Sequence, residues 1–272
     1  MLNLDNIDLV NNTSNQMKVF CYSFFIRTSI FAIINQKVHL KKHPKKVQDD
    51  IKNRIVSIIH GSLTFWAAAY IMLVEQPGFG AINSQAMQFT MIISASYFVY
   101  DFLACLYYDL ADMSLVSHHS LAICGYAVAT FSKFGAPSSI YFLWGLMSAE
   151  VSNFPMHMRV IFRQVGLRHT KLYEACEWAY FALYIIFRGS LVPYMVWNTW
   201  PESEVPLLVK ITATGLFLQS VYFIFEMKKI LISQYFQYQE RKKKNIHHFW
   251  FSVNQRVYEL SYINNQKKDK VF

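Results

Sequence analysis

Seven apolar stretches alternate with polar links along the chain, at residues 17–36, 55–75, 86–107, 114–131, 137–154, 175–197 and 206–227. A helix needs about 20 residues to cross the hydrocarbon layer of a bilayer, and inside that layer the backbone must satisfy its own polar groups. The pattern therefore predicts an all-α integral membrane protein of about seven transmembrane helices. Six is the alternative if the first stretch, which carries Arg27 at its middle, does not cross. That stretch reads as a retained anchor, because it runs into Lys37 to Lys46 and not into a small-residue cleavage site.

The links divide the chain further. Residues 1–16 form a polar N-terminal tail, 17–36 the first transmembrane helix, 37–53 a basic linker broken by Pro44, 54–230 the main helical domain and 231–272 a basic tail. Gly, Pro, Asn and Ser mark short turns near Gly78–Ser84, Asp109–Ser114 and Lys133–Ser138. The tail 231–272 begins as a helix leaving the membrane.

Composition agrees with the pattern: 54% of the 272 residues are hydrophobic and only 16% are charged, against about 25% in soluble domains. The net charge of +9 could suggest nucleic acid, but its placement argues against that partner. Of the 26 Lys and Arg residues, seven lie in 37–54, four in 159–171 and ten in 228–272. With seven crossings all three blocks fall on one side, opposite loops holding Asp5, Asp8, Glu75, Glu202 and Glu204. Cytosolic loops carry the excess of cations, so the C-terminus is expected in the cytosol and the N-terminus in the lumen. Lysines at the third and fifth positions from the end, Lys270 and Lys268, form a dilysine-type retrieval pattern and point to the endoplasmic reticulum. Asn11-Asn12-Thr13-Ser14 holds two overlapping glycosylation patterns. The four cysteines show neither CxxC spacing nor a cluster, so no disulfide framework is expected.

Candidate chemistry lies in the charged and imidazole groups inside apolar stretches. Such groups are costly at membrane depth, and they usually face a bundle interior. At about 1.5 Å of rise per residue, Asp101 and the pair His118-His119 lie at similar depth on either side of the turn near 109–113. His60, six residues after Arg54, and Glu150, nine before Arg159, reach the same layer. Asn153 shares a helix face with Glu150. Arg188 lies deeper, either paired with Glu150 or at the far end of the same cavity, and Arg27 has no evident partner. Adjacent helix positions differ by 100°, so only one of His118 and His119 can face a cavity while the other bonds a neighbouring helix or orients the first. Polar residues of this kind often serve as interhelical glue. Several at one depth on four helices favour a cavity. Tyr97, Tyr100, Tyr107 and Tyr108 read as packing or interfacial aromatics.

The ordered set Arg54-x5-His60, Tyr97-Phe98-Val99-Tyr100-Asp101, His118-His119, Glu150-x-x-Asn153 and Arg188-x4-Pro193 resembles the TLC-domain family, the membrane proteins that include the ceramide synthases. The resemblance covers roughly residues 50–230 and implies a TLC-type helical bundle around a polar cavity. In ceramide synthases the paired histidines belong to a motif needed to transfer an acyl group from acyl-CoA to a sphingoid base, and His118 and His119 stand at that position. The enzyme motif continues with two aspartates three residues apart. Here Glu150 and Asn153 stand there, and an amide cannot act as a base.

The resemblance thus leaves two readings. One is a protein of lipid homeostasis that binds, senses or transports an acyl lipid or sphingolipid, with His60, Asp101, His118, His119, Glu150, Asn153 and Arg188 lining its cavity. The other is an N-acyltransferase with His118 or His119 as nucleophile or base, and Asp101 or Glu150 orienting it. Membrane lipids are the expected partners, with acyl-CoA and a sphingoid base as candidate substrates; neither a metal nor a cofactor is expected. A metal-dependent oxygenase or hydrolase using His60, Asp101, the histidine pair and Glu150 is a third reading, weakened by too few histidines.

Overall fold

The computed structural model describes residues 8–78, 81–131 and 139–257, and these are helical with short links. The helices are α1 (Thr13–Lys37), α2 (Lys45–Val74), α3 (Gln85–Tyr107), α4 (Met113–Phe131), α5 (Ser139–Gln164), α6 (Lys171–Leu183), α7 (Val192–Thr199) and α8 (Leu207–Lys243). A π-helical segment, Tyr184–Leu191, joins α6 to α7. The three pieces form one continuous rod from Lys171 to Thr199, so the described part of each of the seven apolar stretches falls on one rod. The retrieval pattern at Lys268 and Lys270 lies outside the described residues.

Local signals explain the boundaries. Asn12 caps α1 by accepting from the Asn15 amide at 3.1 Å, Ser84 caps α3 from Met87 at 3.1 Å, and Thr170 caps α6 from Tyr173 at 3.2 Å. Pro44 and Pro206 stand at the N-caps of α2 and α8, where a missing N–H costs nothing. Beyond the end of α5, Gly166 adopts φ +86, a left-handed conformation that glycine enters without strain, and Leu167 then donates back to the Phe162 carbonyl at 2.7 Å.

Five of the seven rods are long and apolar enough to cross a membrane: α1, α2, α3, the α6–α7 rod and α8. The two others, α4 and α5, are diluted by the histidine pair and by Glu150, Asn153 and His157. Packing accounts for the difference. α5 lies between α2 and α6, and α4 between α3 and α8, so His119 and Glu150 are buried among neighbouring helices. α1 packs on α3. The molecule is an all-α membrane protein built as a helical bundle.

The principal core joins α2, α3, α4, α5 and α8 through Ala68, Met91, Ala122, Tyr126, Leu143 and Val209. The outer surface is apolar, with Trp66, Leu73 and Trp197 among the exposed side chains. An exposed tryptophan or leucine is ordinary where the solvent is lipid.

Candidate functional site

Among the described residues, the polar groups singled out from the sequence fall into three small clusters within the bundle. In the first, α2, α3 and α4 meet. Asp101 accepts from Asn53 Nδ2 at Oδ1, 2.7 Å away. Its Oδ2 lies 2.8 Å from His119 Nε2, and both side chains are buried. His119 Nδ1 faces the Leu115 carbonyl oxygen at 3.1 Å. The ring thus faces an acceptor at each nitrogen, a backbone carbonyl at Nδ1 and the Asp101 carboxylate at Nε2. Phe102 stacks on the His119 ring at 5.9 Å. Asn53 completes the cluster: its Oδ1 accepts from the Tyr100 hydroxyl at 3.4 Å.

His118 turns the other way, as the 100° step between adjacent helix positions requires. Its Nδ1 lies 3.1 Å from Gln219 Oε1 on α8. Gln219 Nε2 donates to the Ser114 carbonyl at 2.7 Å and to the Ser114 hydroxyl at 3.2 Å. Both amide hydrogens are thus committed, and Oε1 is left to accept. His118 therefore carries its proton on Nδ1 and presents an unprotonated Nε2, which has no partner among the described residues. The two rings are 5.6 Å apart. One histidine is bound into the bundle by a carboxylate, and the other holds a lone pair in a set orientation.

The second cluster lies where α5 meets the π-helical segment. Asn153 Nδ2 donates to Glu150 Oε2 at 3.2 Å, and Arg188 Nη2 donates to Asn153 Oδ1 at 2.9 Å. Arg188 thus reaches Glu150 through the amide and not by a direct ion pair. The wide turn of the π-helix sets its position, and its guanidinium lies 4.8 Å over the Tyr184 ring. Such turns recur at functional positions.

This second cluster opens on a cavity of about 260 Å³ between α2 and α5. Ser57, Gly61, Ser62, Glu150 and Asn153 line it together with the apolar Ile58, Phe65, Trp66, Val151 and Phe154. The volume is just below the range of about 300–1,000 Å³ typical of small-molecule sites, so it fits a segment of a lipid and not a whole one. Glu150 is buried at the bottom while Trp66 and Phe154 are exposed at the rim. Gly61 makes the close approach possible: a Cβ built there would overlap the Glu150 carboxylate.

The third cluster corrects the sequence reading of Arg27 as a residue without a partner. Arg27 Nη2 lies 3.1 Å from His60 Nδ1, its Nη1 donates to the Ser23 carbonyl at 2.9 Å and also to the Ser23 hydroxyl, and its guanidinium sits 5.8 Å over the Tyr97 ring. Arginine cannot accept, so His60 accepts at Nδ1 and carries its proton on Nε2. His60 stacks on Tyr97 with centroids 3.8 Å apart. Arg27 Nε and His60 Nε2 are buried without a partner among the described residues.

Sequence reasoning missed three contributors. Gln219 sits in an apolar stretch and gave no signal. Asn53 lies at the end of a basic linker. His157 stands on the Glu150–Asn153 face of α5, four residues beyond Asn153, and that spacing could have revealed it; its Nδ1 lies 3.3 Å from Arg54 Nη1. Among the described residues, no group of three or more His, Cys, Asp or Glu that could hold a metal ion is present.

Fold and site together define a class: a polytopic membrane helix bundle with a histidine pair, a carboxylate partner and a polar groove inside it. A family model described as the TLC domain matches residues 50–229. The chain belongs to the TLC-domain family, and the match runs from within α2 through most of α8. α1, with Arg27, precedes it.

Proposed function

We propose that this protein acts in lipid homeostasis by binding an acyl lipid or sphingolipid in the groove between α2 and α5. The observation that carries this reading is the groove itself. Its walls are apolar, its rim opens on the outer surface of the bundle, and its floor presents the Glu150 carboxylate and the Asn153 amide. A chain lying against Phe65, Val151 and Phe154 would bring an amine or hydroxyl headgroup to Glu150, while Arg188 holds Asn153 in place. Sensing or transport of such a lipid uses the same contacts. Within the family, the reading suits the branch of TLC domain-containing protein 4 (transmembrane protein 56). The endoplasmic reticulum is the proposed location, with the N-terminus lumenal and the basic C-terminus cytosolic.

A second reading is favoured by a separate observation, the unpartnered Nε2 of His118 beside the His119–Asp101 pair. It is an N-acyltransferase using acyl-CoA. The amine nitrogen of a lipid would attack the thioester carbonyl as Nε2 removes its proton. The carbon–sulfur bond would then break, and the same proton would pass to the departing CoA sulfur, giving an amide and free CoA. A positioned base of this kind contributes about 10²–10⁴-fold. Catalytic roles for His118, His119, Asp101 and Glu150 belong to this reading alone.

Mass spectrometry of the detergent-purified protein separates the two, before and after incubation with a long-chain acyl-CoA and an amine-bearing lipid, beside His118→Ala and His119→Ala. A co-purified intact lipid, with neither acyl adduct nor CoA release, is the result expected for a binder. CoA release that requires His118 would overturn it in favour of the transferase.

A further inference from the structure

Residues 245–257, beyond the TLC domain, fold back on the start of α6. The α8 helix ends at Lys243, Asn245 adopts φ 52, and the Ile246 amide donates to the Arg241 carbonyl at 3.0 Å. The chain then reverses, and the Lys171 amide donates to the Phe249 carbonyl at 2.8 Å. Glu174 faces both sides of the turn: Arg241, at the end of α8, pairs with it at 2.5 Å, and His248 Nδ1 of the strap lies 3.3 Å from its Oε2 without hydrogen-bond geometry. The strap buries His248 and Val257 but leaves three consecutive aromatics outside: Phe249 is 53%, Trp250 54% and Phe251 76% exposed.

That arrangement is inverted for a segment surrounded by water. Its depth explains the inversion. The α6–α7 rod has 29 residues, about 43 Å at the helical rise. A bilayer spans about 30 Å of hydrocarbon and about 40–45 Å with its headgroup layers. With the rod crossing, its Lys171 end lies among the headgroups, and the Phe249–Lys171 hydrogen bond holds the aromatics at that level. The segments that flank the strap, the end of α5, the link to and start of α6, and the end of α8, carry the exposed cations Arg163, Arg168, Lys171 and Lys242 to Lys244. Lys171 Nζ lies 5.7 Å over the Trp250 ring.

We propose that the Phe249-Trp250-Phe251 strap is an interfacial membrane anchor that binds anionic phospholipid headgroups. Tryptophan is enriched at headgroup level, and stable attachment to a membrane surface combines an apolar insertion with a basic patch. The aromatics supply the first and the lysines the second. The partner is the bilayer that the bundle already occupies, on the side of its basic loops. The anchor does not depend on what the α2–α5 groove binds.

The test uses full-length protein with 5-fluorotryptophan, reconstituted in nanodiscs of phosphatidylcholine alone or with 30% phosphatidylserine, and Trp250→Phe to assign the resonance. A doxyl-labelled lipid should broaden the Trp250 fluorine signal more than an aqueous gadolinium chelate does, and phosphatidylserine should widen the difference. Each cation near an anionic surface contributes about fivefold in partitioning, about 1 kcal/mol. K242E/K243E/K244E should therefore return Trp250 to the aqueous probe while the fluorine signal of Trp144, in α5, stays unchanged. Broadening of Trp250 by the chelate as strong as that of a surface loop, in both lipid compositions, would overturn the proposal. So would a response that ignores both phosphatidylserine and the lysine reversals.

Discussion

The His119–Asp101–Asn53 cluster and the Glu150–Asn153–Arg188 cluster use similar groups in opposite ways. In the first, both carboxylate oxygens are occupied, one by the Asn53 amide and one by the buried His119 ring. In the second, Glu150 and Asn153 line an open groove. A buried pair that loses one member leaves an uncompensated charge, whereas a carboxylate beside a cavity has room for a ligand. The closed cluster thus fixes α2, α3 and α4 to one another, and the open one offers a headgroup site between α2 and α5.

The largest effect should come from breaking the closed cluster. Asp101→Ala strands His119 and Asn53, and removal of one partner from a buried pair costs about 3–5 kcal/mol. Thermal unfolding in detergent should shift down sharply, with loss of monodisperse protein. Glu150→Gln, which keeps the shape and the hydrogen bonds of the open cluster, should leave that unfolding temperature nearly unchanged; an equal drop in both variants would erase the distinction between the clusters.

Gly61→Ala sharpens the comparison from the open side. The added methyl meets the Glu150 carboxylate, and overpacking of this kind costs about 1–3 kcal/mol. Co-purified lipid should fall in parallel, as read by extraction and mass spectrometry. Retention of the full lipid complement would show that the groove is not where lipid sits.

A smaller effect is expected at His118. In Gln219→Leu the acceptor on Nδ1 is gone, and the ring is free to move its proton to Nε2. Nitrogen-15 shifts of the His118 ring should show Nδ1–H in the native protein and a mixture of tautomers in the variant, with little change in stability. An Nε2–H tautomer in the native protein would contradict the assigned network.

The smallest effect concerns pH and the C-terminal strap. Burial, with Arg168, His248 and Arg241 alongside, pulls the His169 imidazole down to about 4, against an ordinary value near 6.5. The docked state therefore favours the neutral ring. Its stability relative to the released strap is full above pH 6.5 and declines as pH falls from there toward 4. Hydrogen exchange at residues 246–250 should accelerate across that window, and His169→Gln should flatten the profile. An unaltered profile in His169→Gln would show that His169 does not carry the response.

Much of this was legible in the sequence, and the limits have a common cause. Hydrophobic run length marks membrane helices because every backbone polar group there must be satisfied internally, so the described part of each apolar stretch landed on a rod. Helix rise gave depth, and Asp101 was correctly brought level with the histidine pair. Rotation about each helix axis was not legible, because packing sets it. The sequence alone could not say that His119, and not His118, meets Asp101. For the same reason Arg27 looked unpartnered: its ligand, His60, sits on another helix 33 positions away. Gln219 was hidden because one amide in an apolar run leaves no pattern, while its role depends on Ser114 from α4. The π-helical turn at Arg188 has no spacing signature beyond the proline that follows it.

The most direct test of the central claim is photocrosslinking with a bifunctional lipid that carries a diazirine on its acyl chain, reacted with protein in native membranes and mapped by peptide mass spectrometry. Groove binding predicts adducts concentrated on residues 57–66 of α2 and 150–154 of α5, competed by excess unlabelled lipid and reduced in Gly61→Ala. Uncompeted adducts spread over the outward faces of α1 and α8, with those two segments unlabelled, would contradict it.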